Sequence, residues 1–238
     1  MSKRISVFIL SSLLLAVTLM AQETTVKRAI QNEVAKNAAP SFFQGMALTV
    51  EVGSPLVHAL GNDALNAEAG LRLNFKNKYF PIAELGFGKY DGKNNDTEIH
   101  YQTSAPYLRI GADINMLRDK LQENRLMVGA RLGYTNYKFD VDGPEMKDPI
   151  WGNSKPLDYK DISSNRLWME IVFGLESEIL RHFHMGFSIR YRFKLNEKLP
   201  DVANPYYIPG FGHTDNGFKA TYNIYFDLTK KVKIKNLD

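Results

Sequence analysis

From Phe43 onward the chain alternates apolar and polar residues with a period of two, and it does so in eight runs separated by turn-rich spacers. The apolar members of the runs are Met46–Val52, Leu65–Phe75, Ala83–Phe87, Leu108–Met116, Leu126–Tyr134, Leu167–Leu175, Phe183–Phe193 and Phe218–Phe226. The seventh run is the cleanest: Phe183, Met185, Phe187, Ile189, Tyr191 and Phe193 alternate with His184, Gly186, Ser188, Arg190, Arg192 and Lys194. A period of two places alternate side chains on opposite faces of a strand, so each run predicts a strand with one apolar and one charged face.

Alternation of this kind suits a soluble sandwich or a lipocalin-like barrel as well as a membrane barrel. The glycines separate these readings. Seven of the 17 fall in expected connections (Gly53, Gly61, Gly92, Gly143, Gly152, Gly210, Gly212), and the other ten fall on the charged faces. A face turned to water has no need of missing side chains. A narrow lumen packed with Arg and Glu does need them, beside each long side chain. The charged face is therefore expected inside and the apolar face against lipid. The aromatics at the run ends (Tyr134, Phe183, Tyr191, Phe193, Phe218, Phe226) are placed as interfacial girdles.

The connections alternate long and short. Spans 53–64, 89–106, 140–165 and 195–216 are long, whereas 76–80, 117–124 and 179–182 are short. Four long and three short connections predict an all-β fold, an eight-stranded antiparallel transmembrane up-and-down β-barrel with short periplasmic turns and long external loops. At the N-terminus, Lys3 and Arg4 precede the apolar run Ile5–Met20 and small Ala21, the layout of a cleaved secretory signal. An uncleaved anchor helix is the alternative, disfavoured because the run is short for a bilayer. The expected organisation is a signal peptide over 1–21, a periplasmic leader over 22–42, the barrel over 43–228 and a basic periplasmic tail over 229–238.

Composition narrows the chemistry. The 238 residues contain no cysteine, which removes disulfides, thiolate metal sites, thiol nucleophiles and a lipid-anchored N-terminus. Thirty bases against 26 acids is too even a balance for nucleic-acid binding. Five stretches then carry a resemblance: NKYFPIAELGFG (Asn77–Gly88), YLRIGADINML (Tyr107–Leu117), WMEIVFG (Trp168–Gly174), MGFSIRYRF (Met185–Phe193) and YYIPGFG (Tyr206–Gly212). With these the chain resembles an uncharacterised family of outer-membrane β-barrels from Bacteroidetes-type bacteria, an outer membrane protein beta-barrel domain of unknown function. The resemblance implies an outer-membrane location and a barrel, and it brings no catalytic or binding residues with it.

Eight strands enclose a lumen that side chains can fill, so no open pore is expected. The residues expected to fill it as a structural charge network are Glu51, Glu68, Arg72, Glu84, Arg109, Asp113, Arg131, Glu170, Arg190, Arg192 and Lys219. Projecting the strands places Glu84 across from Arg109 and close to Arg72, Glu170 across from Arg190 and Arg192, and Lys219 near Glu51 and Glu68. A buried ion-pair lattice is favoured over a proton or ion path, because each unpaired charge in such a core costs several kcal/mol. His58, His100 and His213 fall on expected external loops, where a hydroxyl such as Ser104 or Thr214 would make a lipid-directed enzyme conceivable, but no nucleophile motif accompanies them. His182 and His184 lack a third metal ligand in the sequence, and no metal or cofactor is expected. The loop Pro200–Gly212 is read as a self-packed lid over the mouth in preference to a sticky contact surface. The function expected is structural or recognitive. Outer-membrane lipid and the barrel-assembly machinery are the partners, together with an unidentified external ligand at the loops. A lipid-modifying enzyme and a narrow ion channel are the alternatives.

Overall fold

In the computed structural model, residues 42–117, 124–147, 154–180, 182–198, 200 and 203–229 are described. The expected signal peptide, most of the leader and most of the tail lie outside them. The chain order is β1 (Phe43–Glu51), α1 (Gly53–Ala59), β2 (Ala64–Phe75), β3 (Tyr79–Lys93), β4 (His100–Asn115), β5 (Arg125–Lys147), β6 (Ser154–Leu180), β7 (Phe183–Lys198), β8 (Tyr207–Ile208), β9 (Gly212–His213) and β10 (Gly217–Asp227). Strands β1 to β7 pair antiparallel in sequence order, and β10 closes the ring between β7 and β1. Eight strands thus form one closed antiparallel barrel, and β8 and β9 form a separate two-stranded hairpin. Both ends of the ring, Phe43 and Asp227, lie at the end bearing the short turns, here called the turn end.

The faces point as the glycine argument requires. Leu85, Leu108, Ile110, Leu132, Ile171, Phe173 and Ile189 are exposed on the outer wall, while Glu84, Arg109, Arg131, Glu170 and Arg190 are buried within. Inward glycines make room for the large residues beside them: a side chain at Gly86 would run into the ring of Tyr107, and one at Gly133 into that of Trp168. The apolar outer positions of β5 and β6 run from Leu126 to Tyr134 and from Leu167 to Leu175. Eight residue steps at about 3.3 Å, tilted by about 40°, give a belt about 20 Å tall, close to the apolar band of a membrane barrel.

The strands outrun the sequence expectation. The span 89–106 was expected as a long loop, yet β3 reaches Lys93, β4 starts at His100, and only residues 94–99 connect them. Likewise 140–165 is largely ladder, shared by β5 and β6. Gly92 and Gly143 therefore sit in strands, not connections. The cause is an inversion of the facial pattern. Beyond the belt the outer face becomes polar (Lys89, Asp91, Gln102, Ser104, Asn136, Lys138), and the inner face becomes aromatic or apolar (Tyr90, Tyr101, Tyr137, Phe139, Val141). A search for apolar-out alternation stops at this inversion although the hydrogen-bonded ladder continues. The span 53–64 also differs from expectation, because it contains α1.

Candidate functional site: the sealed lumen and its mouth

The lumen is organised around Arg109, on β4, which is buried at mid-height. Its guanidinium pairs with Glu68, lies 3.2 Å from Glu84 and 3.0 Å from Glu170. Arg190 on β7 approaches the same three carboxylates at 3.3–3.7 Å. Arg131 forks onto Asp113 with bonds of 2.7 and 2.8 Å, a bidentate geometry that fixes both groups. Neutral donors complete the set: Tyr107 donates its hydroxyl proton to Glu68 at 2.8 Å, and the Trp168 indole N–H donates to Glu170 at 2.8 Å.

Nearer the turn end, Glu176 accepts from Arg72 at 2.7 and 2.9 Å and also from Arg125. The central layer holds three arginines against four carboxylates and this lower layer two against one, so the five arginines and five carboxylates balance only when taken together. Between the layers remains a cavity of about 20 Å³ lined by Glu84, Asp113, Arg131, Glu176, Arg190 and Tyr225 among others, space for a single water.

All eleven residues expected in the lumen face into it, with some partners exchanged. Glu84 faces Arg109 in register, and Glu170 faces Arg192, as projected. Arg72 does not join Glu84; it crosses the lumen to Glu176 on β6. Lys219 forms no ion pair with Glu51 or Glu68: Glu68 is held by Arg109 and Arg190, and Glu51 accepts the Ser54 N–H at 2.9 Å. Arg192 forms no ion pair with Glu170 among the described residues, and its guanidinium lies over the Phe211 ring. Glu176 and Arg125 are network members that the sequence reading did not single out, and neither did it single out Arg166, which is buried at the mouth and paired with Glu197. Arg125 and Glu176 stood on the charged faces of the fifth and sixth runs, so the alternation could have found them.

The mouth is closed from within. The connection after β7 turns back into the barrel, and Tyr207, Ile208 and Phe211 are buried. Asn66 fastens this segment twice, donating to the Tyr207 hydroxyl at 2.7 Å and accepting from the Gly210 N–H at 3.3 Å. Tyr101 donates to the Tyr207 carbonyl at 2.7 Å. Phe211 meets Trp168 edge-on at 5.8 Å and carries the Arg166 guanidinium at 4.5 Å. Gly210, at φ +80°, presses against the Tyr107 ring, where a β-carbon would collide. The expected lid over the mouth is thus a plug seated in an aromatic core.

The histidines serve other contacts. His100, on the projecting part of β4, lies 2.9 Å from Asp91 of β3 and 3.0 Å from Asp142 of β5. Hydrogen bonds to Asp91 and then Asp142 hold its pKa above the ordinary histidine value. His58 Nδ1 is 2.6 Å from the Asn62 carbonyl oxygen, and His213 packs against Tyr206. Among the described residues none of the five histidines hydrogen-bonds a hydroxyl; Thr214 gives its proton to the Pro205 carbonyl at 2.6 Å. His184 is buried 2.9 Å from Asp227, 3.5 Å from Glu176 and 4.0 Å from Glu178. No cluster among the described residues has the arrangement to hold a metal ion.

The match that decides kinship runs almost the length of the chain, over residues 1–231, to the family described as Domain of unknown function (DUF6048). The chain belongs to that family. None of the curated proteins matches it. Among solved structures it is similar to Ail, the attachment invasion locus protein of Yersinia pestis, crystallised with the heparin analogue sucrose octasulfate. That similarity has 13% identity, covers 77% of this chain and 92% of Ail, and has a TM-score of 0.35. It is also similar to Neisserial surface protein A (NspA), with 10% identity over 76% of this chain and 92% of NspA and a TM-score of 0.36. Similarity at this level bears on neither ligand nor activity.

Proposed function

We propose that this DUF6048 protein is a small closed barrel of the outer membrane, exported through a cleaved N-terminal signal peptide. In this reading the turn end faces the periplasm and the loop end faces outward. Its role is structural or recognitive: it reinforces the membrane and holds a rigid set of hairpins above it for an external partner. The observation that carries the reading is the reversed distribution of residues at belt height, with apolar side chains outside and a paired charge lattice inside. Water cannot solvate such an exterior economically, and hydrocarbon can.

A lumen filled by paired arginines and a seated plug offers no solute path, which weighs against the channel alternative. The lipid-modifying enzyme requires a nucleophile joined to a base, and here His58, His100 and His213 engage carboxylates, carbonyls and rings instead. The test of the principal reading is refolding of the mature chain with and without micelles. Folding only in micelles, with a compact fast-migrating band before boiling, is the expected result; a folded monomer in plain buffer overturns it. Planar bilayers containing the refolded barrel are expected to stay electrically silent.

A further inference from the structure

Among the described residues the ring of strands is incomplete where β1 stops short. β1 ends at Glu51, opposite Glu68 of β2 and Asn223 of β10. Its neighbours continue: 64–67 of β2 and 217–221 of β10 keep ladder partners only on their far sides, in β3 and β7. The slot is one strand wide, and α1 is tied to both of its edges. The Val52 N–H donates to the Tyr222 carbonyl at 2.9 Å, and the Asn66 N–H donates to the Ser54 hydroxyl at 2.9 Å. α1 buries none of its residues and leaves Leu56, Val57 and, just past its end, Leu60 exposed. Beneath it the outer wall holds a groove of about 760 Å³ lined by Val50, Pro55, Leu56, Ala67, Leu85 and Phe87 and bordered by Glu51.

Two groups of opposite charge at this seam are incompletely partnered among the described residues. Glu51 is only 4% exposed, and while one carboxylate oxygen accepts the Ser54 N–H, the other is buried with no hydrogen bond. Lys219, on the lumen face of the stretch of β10 that lacks a β1 partner, makes no ion pair among the described residues. A carboxylate oxygen without a hydrogen bond on β1 and a lysine on β10, both at the lumen side of a seam whose outer side is a hydrocarbon-lined groove bordered by Glu51, match a ligand that is zwitterionic at one end and greasy at the other.

We propose that this seam holds one phospholipid with a zwitterionic, amine-bearing head group: an acyl chain lies in the groove below Leu56, the head-group ammonium donates to Glu51, and its phosphate meets Lys219. The inference rests on the reading that the barrel sits in a bilayer. A quaternary-amine head has the same net charge and phosphate but no N–H, so it cannot satisfy Glu51. An anionic head without an amine leaves Glu51 unpartnered as well.

The test is non-denaturing mass spectrometry of the refolded barrel from micelles containing equal amounts of phosphatidylethanolamine and phosphatidylcholine with matched chains. One phosphatidylethanolamine per barrel is expected, retained roughly tenfold over phosphatidylcholine, the ratio of one charge-assisted hydrogen bond. Glu51→Gln is expected to bring that ratio near unity, and Lys219→Met to lower retention of both lipids. Equal retention by the wild-type barrel, a comparison that needs no variant to fold, overturns the proposal. So does an unchanged ratio in Glu51→Gln, or a two-chain species in place of the lipid adduct, which would mean that a second copy covers the groove. Ile171→Trp, on the belt and remote from the seam, separates the two levels. Quenching there by brominated acyl chains with no lipid preference removes the seam site alone; no quenching removes the membrane reading itself.

Discussion

Arg109 contacts three glutamates from three other strands, so its loss leaves more unsatisfied charge than that of any peripheral pair. Arg109→Met is expected to destabilise the barrel by about 3–5 kcal/mol, the range for removing one partner of a buried ionic cluster. Denaturant titration in micelles checks this. His100 gives a pH-dependent contact outside the belt. Its folded pKa is raised, so the stability it lends the projecting hairpins is complete below the ordinary value near 6.5 and disappears as pH rises through the raised value. Amide exchange around Asp91 and Asp142 should therefore quicken with that transition, beyond the intrinsic pH effect, and the transition should vanish in His100→Gln. Pairs such as Glu84 with Arg109 were legible because they are register neighbours on adjacent strands. Arg72 with Glu176 was not, because a long side chain crosses from one wall of the closed ring to another, a proximity that no linear pattern encodes.

Among the elements, the plug hairpin β8–β9 seals the aromatic core, while the charge lattice lies deeper. Replacing residues 206–213 by a flexible Gly/Ser segment is therefore expected to leave the barrel folded and non-conducting while exposing Trp168, which Phe211 now covers. Acrylamide quenching of Trp168 in a Trp151→Phe background should rise several-fold; unchanged quenching would show that Phe211 does not shield it. The plug was legible in part, as a Tyr- and Pro-rich stretch that folds on itself. Its seat was not, since Asn66 and Tyr101 come from strands far away in sequence. The projecting halves of β3 to β6 were misjudged as loops for a physical reason already visible at Tyr90 and Tyr101: above the hydrocarbon, a strand obeys the rule of a soluble barrel.

The whole molecule joins two solvent regimes along the same strands, and the boundary can be probed with one kind of substitution. Ile110→Lys places a charge on the belt and is expected to cost about 2–4 kcal/mol, whereas Ser104→Lys, six residues away on the same outer face of β4, should cost close to nothing. Equal costs would put Ser104 in hydrocarbon or Ile110 in water. Fold class and strand number followed from alternation and connection lengths. The short β1 and the seam beside it did not, because Val52 continues the apolar phase while the backbone turns into α1.

The upper strands carry a further consequence. Their cohesion comes from the rings of Tyr90, Tyr101, Tyr137 and Phe139 on the inside, so the water-facing positions Lys89, Gln102, Asn136 and Lys138 carry little folding duty. On the proposed orientation, the outward face can drift in sequence almost freely while the scaffold that displays it stays the same.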